Sequence, residues 1–329
     1  MDKKKAVILY NELSENASAD EADVLEQVEI VSENLEKLGI YHSTQTFSLN
    51  MRKVEENLLK AKPDFVFNLV EGVDNKGNLI FLAPALLNSL NIPFTGGTLE
   101  TIFITSSKTL AKERMKQGGL PTAYWYHGEG GFKPEEGKRY IVKPIWEDGS
   151  LGLDEHCVFW WNEAELQKIA DKLNPATHFI EEFVDGREFN ISILGGINGP
   201  TVLPHAEILF NDYEGDKPKM MGYTAKWKED SFEYENTCRT FEMGQNDGEL
   251  LKKLTFLTER SWDVFKLNGY ARVDYRVDKQ GNPFILEINV NPCISHNGGF
   301  YAASERAGLT FDKVIERIIN DIPSIKYKL

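Results

Sequence analysis

The chain has 329 residues, with 37 Lys and Arg against 51 Asp and Glu, and a formal net charge of −14. This length accommodates two or three packed lobes, and the acidic balance argues against bulk nucleic acid or an anionic membrane surface as a partner. No apolar run approaches the roughly 20 residues that span a bilayer, and residues 1–5 lead into a strand without a signal-peptide core. We therefore expect a cytoplasmic enzyme with small-molecule substrates.

Short β-rich runs alternate with helical patterns in the first part of the chain. Strands are predicted at 6–10, 41–47 and 64–68, and helices at 21–38, 51–60 and 79–90. This alternation predicts a small parallel sheet covered by helices. Because ligands bind beyond the carboxyl ends of such strands, residues 10–14 and 69–78 are expected at the rim. We assign residues 1–104 to this N-terminal α/β substrate lobe.

A second lobe is predicted after a helix at 107–118. Its elements are a strand at 139–144, a helix at 162–173 and a strand at 178–183. The strands are short and expected to be antiparallel. Gly149 and Gly152 lie in the loop 147–152 and permit close backbone approach to an anion, and Lys143 supplies positive charge just upstream. A plain turn is the alternative interpretation of this loop.

Charged residues interrupt the apolar segment 179–194, which predicts two strands around the turn 185–186. Glu181, Glu182 and Glu188 are candidates to accept hydrogen bonds from a nucleobase amine or from ribose hydroxyls. Surface carboxylates on an edge strand are the alternative. Further elements are predicted as a strand at 201–210, a helix at 247–267 and C-terminal helices that begin at 302 and 311.

The most informative segment is 269–292, which predicts a β-hairpin with acids on one face. Apolar side chains alternate with charged or polar ones in both strands, and a polar turn joins them. If the register is symmetric, Asp274 lies opposite Glu287, and Arg272 lies opposite Asn289, about 5 Å apart. Two carboxylates and an amide oxygen beside an arginine suit magnesium that bridges nucleotide phosphates. A solvated face of an amphipathic hairpin is the alternative.

The three cysteines are Cys157, Cys238 and Cys293, without CxxC spacing. Neither a disulfide framework nor a zinc site is indicated. We expect the first two to be ordinary strand residues. Cys293 is a candidate nucleophile only if a base activates it, and His296 is the one histidine that the sequence places nearby.

Seven motifs occur in order along the chain: Lys108, Lys143-Pro144, the loop 147–152, Glu181-Glu-Phe-Val, Gly186-Arg-Glu188, Arg272-Val-Asp274 and Glu287-Ile-Asn-Val-Asn-Pro292. Together they resemble the ATP-grasp superfamily, and specifically its D-alanine-D-alanine ligase-like branch. Segments 67–72, 93–97 and 111–115 extend the resemblance over essentially the whole chain. It implies that the N-terminal parallel-sheet lobe is followed by a two-subdomain ATP-grasp fold, at 105–185 and 186–329.

The resemblance implies an ATP-dependent carboxylate–amine ligase. Such an enzyme forms a dipeptide-type amide through an acyl phosphate and releases ADP and phosphate. The implied nucleotide-binding residues are Lys108 and Lys143 at the phosphates, Ser150 above them, Glu181 and Val184 at the adenine edge through backbone groups, Glu182 nearby, and Glu188 at the ribose. A homodimer formed through the first lobe is also implied.

The resemblance also assigns the catalytic and metal-binding positions. Asp274, Glu287 and Asn289 would bind two Mg²⁺ ions, with Mn²⁺ as an alternative metal. Arg272 would stabilise the acyl phosphate and the tetrahedral oxyanion, which is catalysis mainly by electrostatics. Ser150 would assist catalysis. Lys226 would contact the γ-phosphate or the acceptor carboxylate; the alternative is that Lys226 is an ordinary surface lysine.

Departures from the branch cluster at substrate-facing positions. The glycines of the family's first loop are missing, and three residues are left open for recognition of a substrate amine: Glu12, Glu15 and Glu21. Trp227 and Gly149 replace hydroxyl-bearing residues that order the substrate loop. Cys293 replaces a glycine whose amide helps to hold the oxyanion. Since changed polar partners change selectivity, the substrates need not be two D-alanines.

Other functions remain alternatives at this point. The first is a ligase for a different amino acid pair, and the second is a non-catalytic ATP-binding regulator of ATP-grasp architecture. Intact Arg272, Asp274, Glu287 and Asn289 argue against the regulator. A third is an ATP-grasp carboxylase that acts on bicarbonate or a biotin carrier, which the Asn-Pro-Cys-Ile-Ser loop disfavours.

Overall fold

A computed structural model describes residues 4–14, 18–127, 134–147, 150–162, 174 and 176–323. The predicted helix 162–173 falls outside these residues except for Asn162, which is not helical, and residues 148 and 149 of the glycine loop are also outside them. Within the described chain, no helix is both long and apolar enough to cross a membrane.

The N-terminal residues form the predicted parallel sheet. Its strands are β1 (Lys5–Asn11), β2 (Tyr41–Phe47) and β3 (Phe65–Leu69), in the order β2–β1–β3. Helices α1 (Ala19–Lys37), α2 (Met51–Ala61) and α3 (Leu82–Ser89) lie between and after these strands. Every residue of β3 is buried, as expected for a strand covered on both faces. The predicted helix 79–90 is shorter than expected, because a separate turn of 3₁₀ helix, Gly77–Leu79, precedes α3.

Two short helices meet end to end after this sheet. These are α4 (Leu99–Ser106), which the sequence analysis missed, and α5 (Lys108–Gln117), which it predicted. Ser107 separates them, and its side chain accepts a hydrogen bond from the Leu110 amide at the start of α5, as an N-cap residue does. The first residue of α5 is therefore Lys108, which is buried.

The second sheet is antiparallel, as expected. Its strands are β4 (Trp125–Tyr126), β5 (Arg139–Pro144), β6 (Val158–Trp160) and β7 (His178–Glu182), in the order β4–β7–β5–β6. β7 is thus an internal strand of the sheet, so the edge-strand interpretation of Glu181 is wrong. The prediction that Cys157 is a strand residue is also wrong, because it ends a 3₁₀ turn, Glu155–Cys157.

The third sheet carries the acid hairpin. Its strands are β8 (Arg187–Leu194), β9 (Thr201–Val202), β10 (Ala206–Phe210), β11 (Thr237–Thr240), β12 (Tyr270–Val277) and β13 (Pro283–Val290). The order is β11–β10–β8–β12–β13, with β9 paired to β8, and all pairings are antiparallel. The predicted strand 201–210 is therefore two strands, separated at Pro204, which has no amide hydrogen for a ladder.

The turn 185–186 changes sheets instead of closing a hairpin. β7 ends before this turn in the second sheet, and β8 begins after it in the third. A Cβ atom on Gly186 would collide with the Val277 carbonyl oxygen, so only glycine lets the chain pass this close to β12. The crossing places the two sheets on either side of one groove.

The remaining helices cover the third sheet and return to the first. They are α6 (Tyr223–Trp227), α7 (Phe232–Glu235), α8 (Gly248–Phe265), α9 (Gly299–Arg306) and α10 (Phe311–Asn320). α8 packs its buried face, which includes Leu254 and Phe265, on the apolar side of β8 and β12. α9 and α10 share a core with β1 and α1. The C-terminal loop before α9 is thereby held against the N-terminal sheet.

Polar contacts also join the N-terminal residues to the rest. The Gly97 amide donates to Asn291 Oδ1 at 3.0 Å, and Thr101 Oγ1 donates to the Phe265 carbonyl at 3.2 Å. These contacts cross the predicted boundary after residue 104. The boundaries of the three predicted domains, 1–104, 105–185 and 186–329, stay predictions.

Ile191 in the centre of β8 tests how far the third sheet stabilises the protein. Ile191 is fully buried, whereas Ile197 in the following loop is 86% exposed. We expect Ile191→Ala to lower the free energy of unfolding by about 2–5 kcal/mol, because it removes buried methyl groups and leaves a cavity. Ile197→Ala should change it by less than about 0.5 kcal/mol. Urea denaturation of both variants checks this, and equal effects would contradict the assigned burial.

Candidate active site

The two strands of the acid hairpin pair in the predicted register. Asp274 lies opposite Glu287, and Arg272 lies opposite Asn289. A bulge follows between Asp274 and Tyr275, so that Tyr275 pairs with Ile285. Past the bulge the register differs by one residue from the symmetric prediction. The polar side chains that the sequence placed on one face therefore do lie together.

Hydrogen bonds connect these four side chains. Arg272 donates to both carboxylate oxygens of Asp274, from Nε at 2.7 Å and from Nη2 at 2.8 Å. Asn289 Nδ2 donates to Asp274 Oδ2 at 2.9 Å and to Glu287 Oε1 at 3.1 Å. An amide can present its oxygen or its nitrogen in the same place. The group therefore offers a set of hard oxygen donors, the kind that magnesium prefers.

The two acids carry opposite pKa shifts. Burial raises the pKa of Asp274, and Arg272 opposes this while Glu287 adds to it. Burial would also raise the pKa of Glu287, but Lys108, the Asn289 amide and Arg272 outweigh it and lower that pKa to about 2. Glu287 is thus ionised at neutral pH. Two adjacent carboxyl groups, one of them firmly charged, are stabilised by a divalent cation, so the residues fit magnesium.

In the described ranges, no group of three or more His, Cys, Asp or Glu side chains is arranged so that it could hold a metal ion. The acid hairpin has two acids, and the amide of Asn289 completes its oxygen set. Lys108 approaches the same acids, with Nζ 3.8 Å from Glu287 Oε2, and also donates to the Glu147 carbonyl. Lys108 is thus placed between the hairpin and the glycine loop.

A second charged group lies in the second sheet. The Glu181 carboxylate is 1% exposed and pairs with Lys143 at 2.6 Å and with Lys112. Burial alone would raise the pKa of Glu181, but Lys112 and Lys143 together hold it below its usual value. Burial lowers the pKa of Lys112, against the attraction of Glu181. The Glu181 side chain is therefore a counter-ion that holds Lys143, in addition to any contact from its backbone.

Sequence reasoning missed the role of Lys112. It lies four residues after Lys108 on α5, so both lysines occupy one face of the helix. Its Nζ also donates to Thr122 Oγ1 at 2.8 Å. The four-residue spacing from Lys108 was the available signal for Lys112. It was not sufficient, because a lysine is rarely buried unless it is paired, and the partner of Lys112 is remote in sequence.

Glu188 has a counter-ion that was also missed. Arg276 Nη1 lies 3.5 Å from Glu188 Oε2, and the two residues are cross-strand neighbours in β12 and β8. Arg276 is 3% exposed and donates to the carbonyls of Gly186 and Lys219. Burial raises the pKa of Glu188, and Arg276 is the main group that opposes this. Arg276 thus favours the ionised form of Glu188, which accepts hydrogen bonds.

A groove of about 1120 Å³ opens between the second and third sheets. Glu182 and Phe183 border it from one side, and Ile208 and Phe210 border it from the other. Glu182 pairs with Lys138 at 3.1 Å and is only partly buried. Val184, which follows β7, is half-buried at the point where the chain changes sheets.

The glycine loop is tied to the segment that carries Lys226. Ser150 Oγ donates to the Met221 carbonyl at 2.7 Å, and the Tyr223 amide donates to the Leu153 carbonyl at 3.0 Å. These contacts join the loop to the segment before α6 without the two hydroxyl groups whose loss the sequence indicated. Lys226 itself lies in α6 with Nζ 5.2 Å from the Trp227 ring. Within the described residues no ion pair joins Lys226 to the acid hairpin.

A polar cluster joins α1 to the loop before α9. Asp23 Oδ2 accepts from the Cys293 thiol at 2.9 Å and from Gln27 Nε2 at 3.1 Å, and Gln27 Nε2 also donates to Glu71 Oε1 at 2.9 Å. We call Asp23, Gln27, Glu71 and Cys293 the rim cluster. The acid that α1 brings to this rim is therefore Asp23, which was not among the three candidates from sequence.

Two of those three candidates have other places. The Glu21 carboxylate accepts from the Ser18 amide at 3.0 Å at the start of α1, and the Glu12 amide donates to the Phe47 carbonyl. Glu15 lies outside the described residues. The sequence did not indicate Asp23, because only the packing of α1 against the C-terminal loop decides which face of α1 contacts that loop.

Cys293 lacks an activating base. His296 Nδ1 lies 2.6 Å from Glu26 Oε1, and its ring contacts Tyr301. Burial, together with the negative charges of Glu71 and Asp23, raises the pKa of the Cys293 thiol to about 12. Cys293 is therefore a neutral thiol that donates a hydrogen bond, and the structure does not support the nucleophile interpretation.

Comparisons with known proteins identify the family of this chain. The family model described as "D-ala D-ala ligase C-terminus" matches residues 136–320. The D-alanine--D-alanine ligase of Aquifex aeolicus is 29% identical over 295 residues, which cover 88% of this chain and 92% of that protein. An uncharacterized protein of Sinorhizobium fredii is 28% identical over 260 residues, 78% of this chain and 73% of its own length.

The fold also matches solved structures. The D-alanine--D-alanine ligase from Bacillus anthracis, complexed with ATP, has a TM-score of 0.70 at 20% identity and covers 97% of both chains. At this identity the match concerns the fold, which is the ATP-grasp fold. The chain belongs to the D-alanine-D-alanine ligase family of ATP-grasp proteins. It is an ATP-dependent ligase that forms carbon–nitrogen bonds and releases ADP.

The buried Glu181 gives a stability test of the second sheet. We expect Glu181→Gln to lower the free energy of unfolding by about 3–5 kcal/mol, because it leaves buried lysine charge without its partner. Glu182→Gln is the matched control: it is adjacent, partly exposed and paired to one lysine, so it should cost less than about 1 kcal/mol. Urea denaturation at pH 7 measures both, and a cost for Glu181→Gln no larger than that for Glu182→Gln would contradict the buried ion pairs.

Proposed function

We propose that the chain joins two amino acids into a dipeptide, with D-alanine as the first candidate for both. The observation that carries this proposal is the hydrogen-bonded group Arg272, Asp274, Glu287 and Asn289 on one face of the hairpin. Lys108 beside it adds positive charge. The family match and the named activity of the Aquifex aeolicus relative support the substrate class.

ATP would lie in the groove between the second and third sheets. We propose phosphate contacts from Lys108, Lys143 and Ser150, because Glu287 holds the first lysine in place and Glu181 holds the second. Backbone groups of Glu181 and Val184 would contact the adenine, with Glu182 at the edge of the groove. Glu188 would contact the ribose. The charge state of Glu188, favoured by Arg276, supports its role as an acceptor of ribose hydroxyl hydrogens.

Asp274, Glu287 and Asn289 would hold two magnesium ions, with manganese as an alternative. When bound, the metal neutralises charge on the transferring phosphoryl group. The ionised state of Glu287 supports this role. A carboxylate that is already charged at neutral pH does not have to lose a proton before it binds a metal ion.

Arg272 would donate hydrogen bonds to the acyl phosphate and to the oxyanion that forms when the amine attacks its carbonyl carbon. The new carbon–nitrogen bond forms, the carbon–oxygen bond to phosphate breaks, and phosphate leaves with the electron pair and takes up the proton that the amine nitrogen loses. The pair of bonds to Asp274 fixes the guanidinium before the reaction, and one such fixed donor contributes about 3 kcal/mol. Lys226 would serve the γ-phosphate or the acceptor carboxylate from α6.

The rim cluster favours one variation of this proposal. Asp23, Glu71 and the thiol of Cys293 give this side of the site two acids and a hydrogen-bond donor. These residues suit the ammonium group of the acid substrate, which D-alanine and other amino acids share, so an amino acid pair other than two D-alanines is the second candidate. We further propose a cytoplasmic homodimer, as the family resemblance implies.

The first test is phosphate release with ATP and magnesium across single and paired D- and L-amino acids. We expect release with at least one pair. We expect Glu287→Gln to reduce it by at least about a hundredfold, because that change removes one charge from the metal ligands. A chromatographic assay of the dipeptide confirms that release is coupled to amide formation.

The outcomes separate the proposed functions. Release with D-alanine alone supports the first candidate, and release only with another pair supports the second. ATP binding without release for any pair would contradict a ligase of amino acids and favour a regulator. Circular dichroism of Glu287→Gln controls for loss of the fold.

Arg276 is proposed as a positioning residue for Glu188. We expect Arg276→Met to raise the KM for ATP about tenfold or more, with a smaller change in kcat, because Glu188 then loses the charge that favours its ionised form. The preference for ATP over 2′,3′-dideoxy-ATP should fall in the same variant, since the affected contact is to ribose.

The matched comparison is Glu188→Gln. If Arg276 acts through Glu188, the two single variants should have similar effects, and the double variant should be little worse than either. Additive effects, or an unchanged sugar preference in Arg276→Met, would show that Arg276 only stabilises the fold near Gly186.

A further inference from the structure

Arg239 lies on the same face of the third sheet as the nucleotide and metal positions. It pairs with Ile208 in the neighbouring strand, and Ile208 pairs with Glu188. Directly paired residues of antiparallel strands project to one side. Arg239 therefore shares the face of Glu188 and Arg272, although the sequence analysis did not single it out.

The Arg239 guanidinium borders the same space as that of Arg272. A Cβ atom on Gly299 would lie 3.7 Å from Arg239 Nη2 and 3.8 Å from Arg272 Nη1. Gly299 is the first residue of α9, whose first-turn amides have no acceptor within the helix. Two arginines and a helix start thus converge where glycine leaves room.

Arg239 has few partners for its five N–H groups. Among the described residues its one hydrogen bond goes from Nη2 to the Asn297 carbonyl at 3.2 Å. Arg272, in contrast, is committed to Asp274 by two bonds. Ser192, opposite Arg272 on the same face, is 1% exposed, and its hydroxyl has no partner in the described part of the chain. The site therefore holds unused donors beside unbalanced positive charge.

The charge around Arg239 favours an anion. Partial burial of the guanidinium lowers the pKa of Arg239, and the like charge of Arg272 lowers this pKa further. A bound anion would offset the repulsion of the two guanidinium groups. A carboxylate matches the planar fork of an arginine.

We propose that Arg239 is a specificity-determining residue that binds the carboxylate of the amine substrate. This inference rests on the proposed function, since it assumes that an amine attacks beside Arg272. The phosphate groups are served by Lys108 and Lys143, whose counter-ions are Glu287 and Glu181. The carboxylate of the acid substrate is consumed in the reaction, so the free carboxylate left to recognise belongs to the amine substrate.

The distribution of charge across the loop before α9 supports this orientation. Asp23 bonds to Cys293 at one side of the loop, and Arg239 bonds to the carbonyl of Asn297 farther along it. Acids near the first side repel a carboxylate and attract an ammonium group. Arg239, on the other side, attracts a carboxylate and repels an ammonium group. The two sides therefore fix how each substrate is oriented in the site.

A competition experiment measures this directly. The enzyme is given ATP, magnesium and an equimolar mixture of D-alanine and D-alaninamide, which has no carboxylate and can react only as the amine. Mass spectrometry gives the ratio of the dipeptide to the dipeptide amide. We expect the wild type to favour the free acid at least about thirtyfold, and Arg239→Met to reduce this preference about tenfold or more. If another amino acid pair is active in the panel, its amine substrate and the matching amide replace the alanine pair.

The ratio does not depend on the amount of folded enzyme. Arg239→Lys, which keeps the charge but not the fork, should retain an intermediate preference. Arg306→Met is the control, since Arg306 lies at the far end of α9 and pairs with Glu242 on the surface; it should leave the ratio unchanged. An unchanged ratio in Arg239→Met, or a higher KM for ATP in place of a changed ratio, would overturn the proposal.

A binding measurement separates failure of this inference from failure of the proposed function. Calorimetric titration of D-alanine and D-alaninamide, or of the alternative pair, into enzyme with magnesium and a non-hydrolysable ATP analogue requires no turnover. Weaker amide binding in the wild type, with the difference lost in Arg239→Met, supports the carboxylate site even if no phosphate is released. Equal binding of acid and amide by the wild type contradicts it, whether or not the ligase reaction occurs.

Discussion

The pairing of β12 with β13 is the constraint on which the site depends. Because Asp274 lies opposite Glu287 and Arg272 opposite Asn289, four polar side chains share one face of a sheet whose other face is apolar. A shift of the register by one residue would turn the polar side chains of one strand toward the core. The apolar residues that alternate with the polar ones, packed under α8, prevent that shift. The same burial that stabilises the sheet therefore aligns the proposed metal ligands.

Buried charge in this protein is balanced by partners from other elements. Glu181 in the second sheet is held by lysines from α5 and β5, and Glu188 in the third sheet is held by Arg276 of the next strand. Such pairs contribute little net stability, but loss of one partner is costly. They fix side chains in place before ATP binds. The proposed nucleotide contacts are thus positioned in advance, which is what electrostatic catalysis requires.

The two sides of the active site differ in what they keep from the family. The nucleotide and metal positions carry the residue types that the resemblance implies. Cys293 of the rim cluster departs from the resemblance, and the rim cluster and Arg239 place acids on one side of the loop before α9 and arginine on the other. The proposed chemistry and the proposed selectivity are therefore assigned to separate elements, the hairpin for the first and the contact of α1 with the C-terminal loop for the second.

The sequence by itself determined the parallel N-terminal sheet, the acid hairpin and the pairing of its four polar residues, because alternation and turn residues are local signals. It did not show the bulge after Asp274, which shifts the rest of the register by one residue. Tertiary structure decided which charged residues pair. Lys112, Arg276 and Asp23 looked like ordinary helix or strand residues, and their partners lie on other elements. Packing also decided that the turn 185–186 joins two sheets. Periodicity shows which face of an element is polar, whereas only the packed chain shows what that face meets.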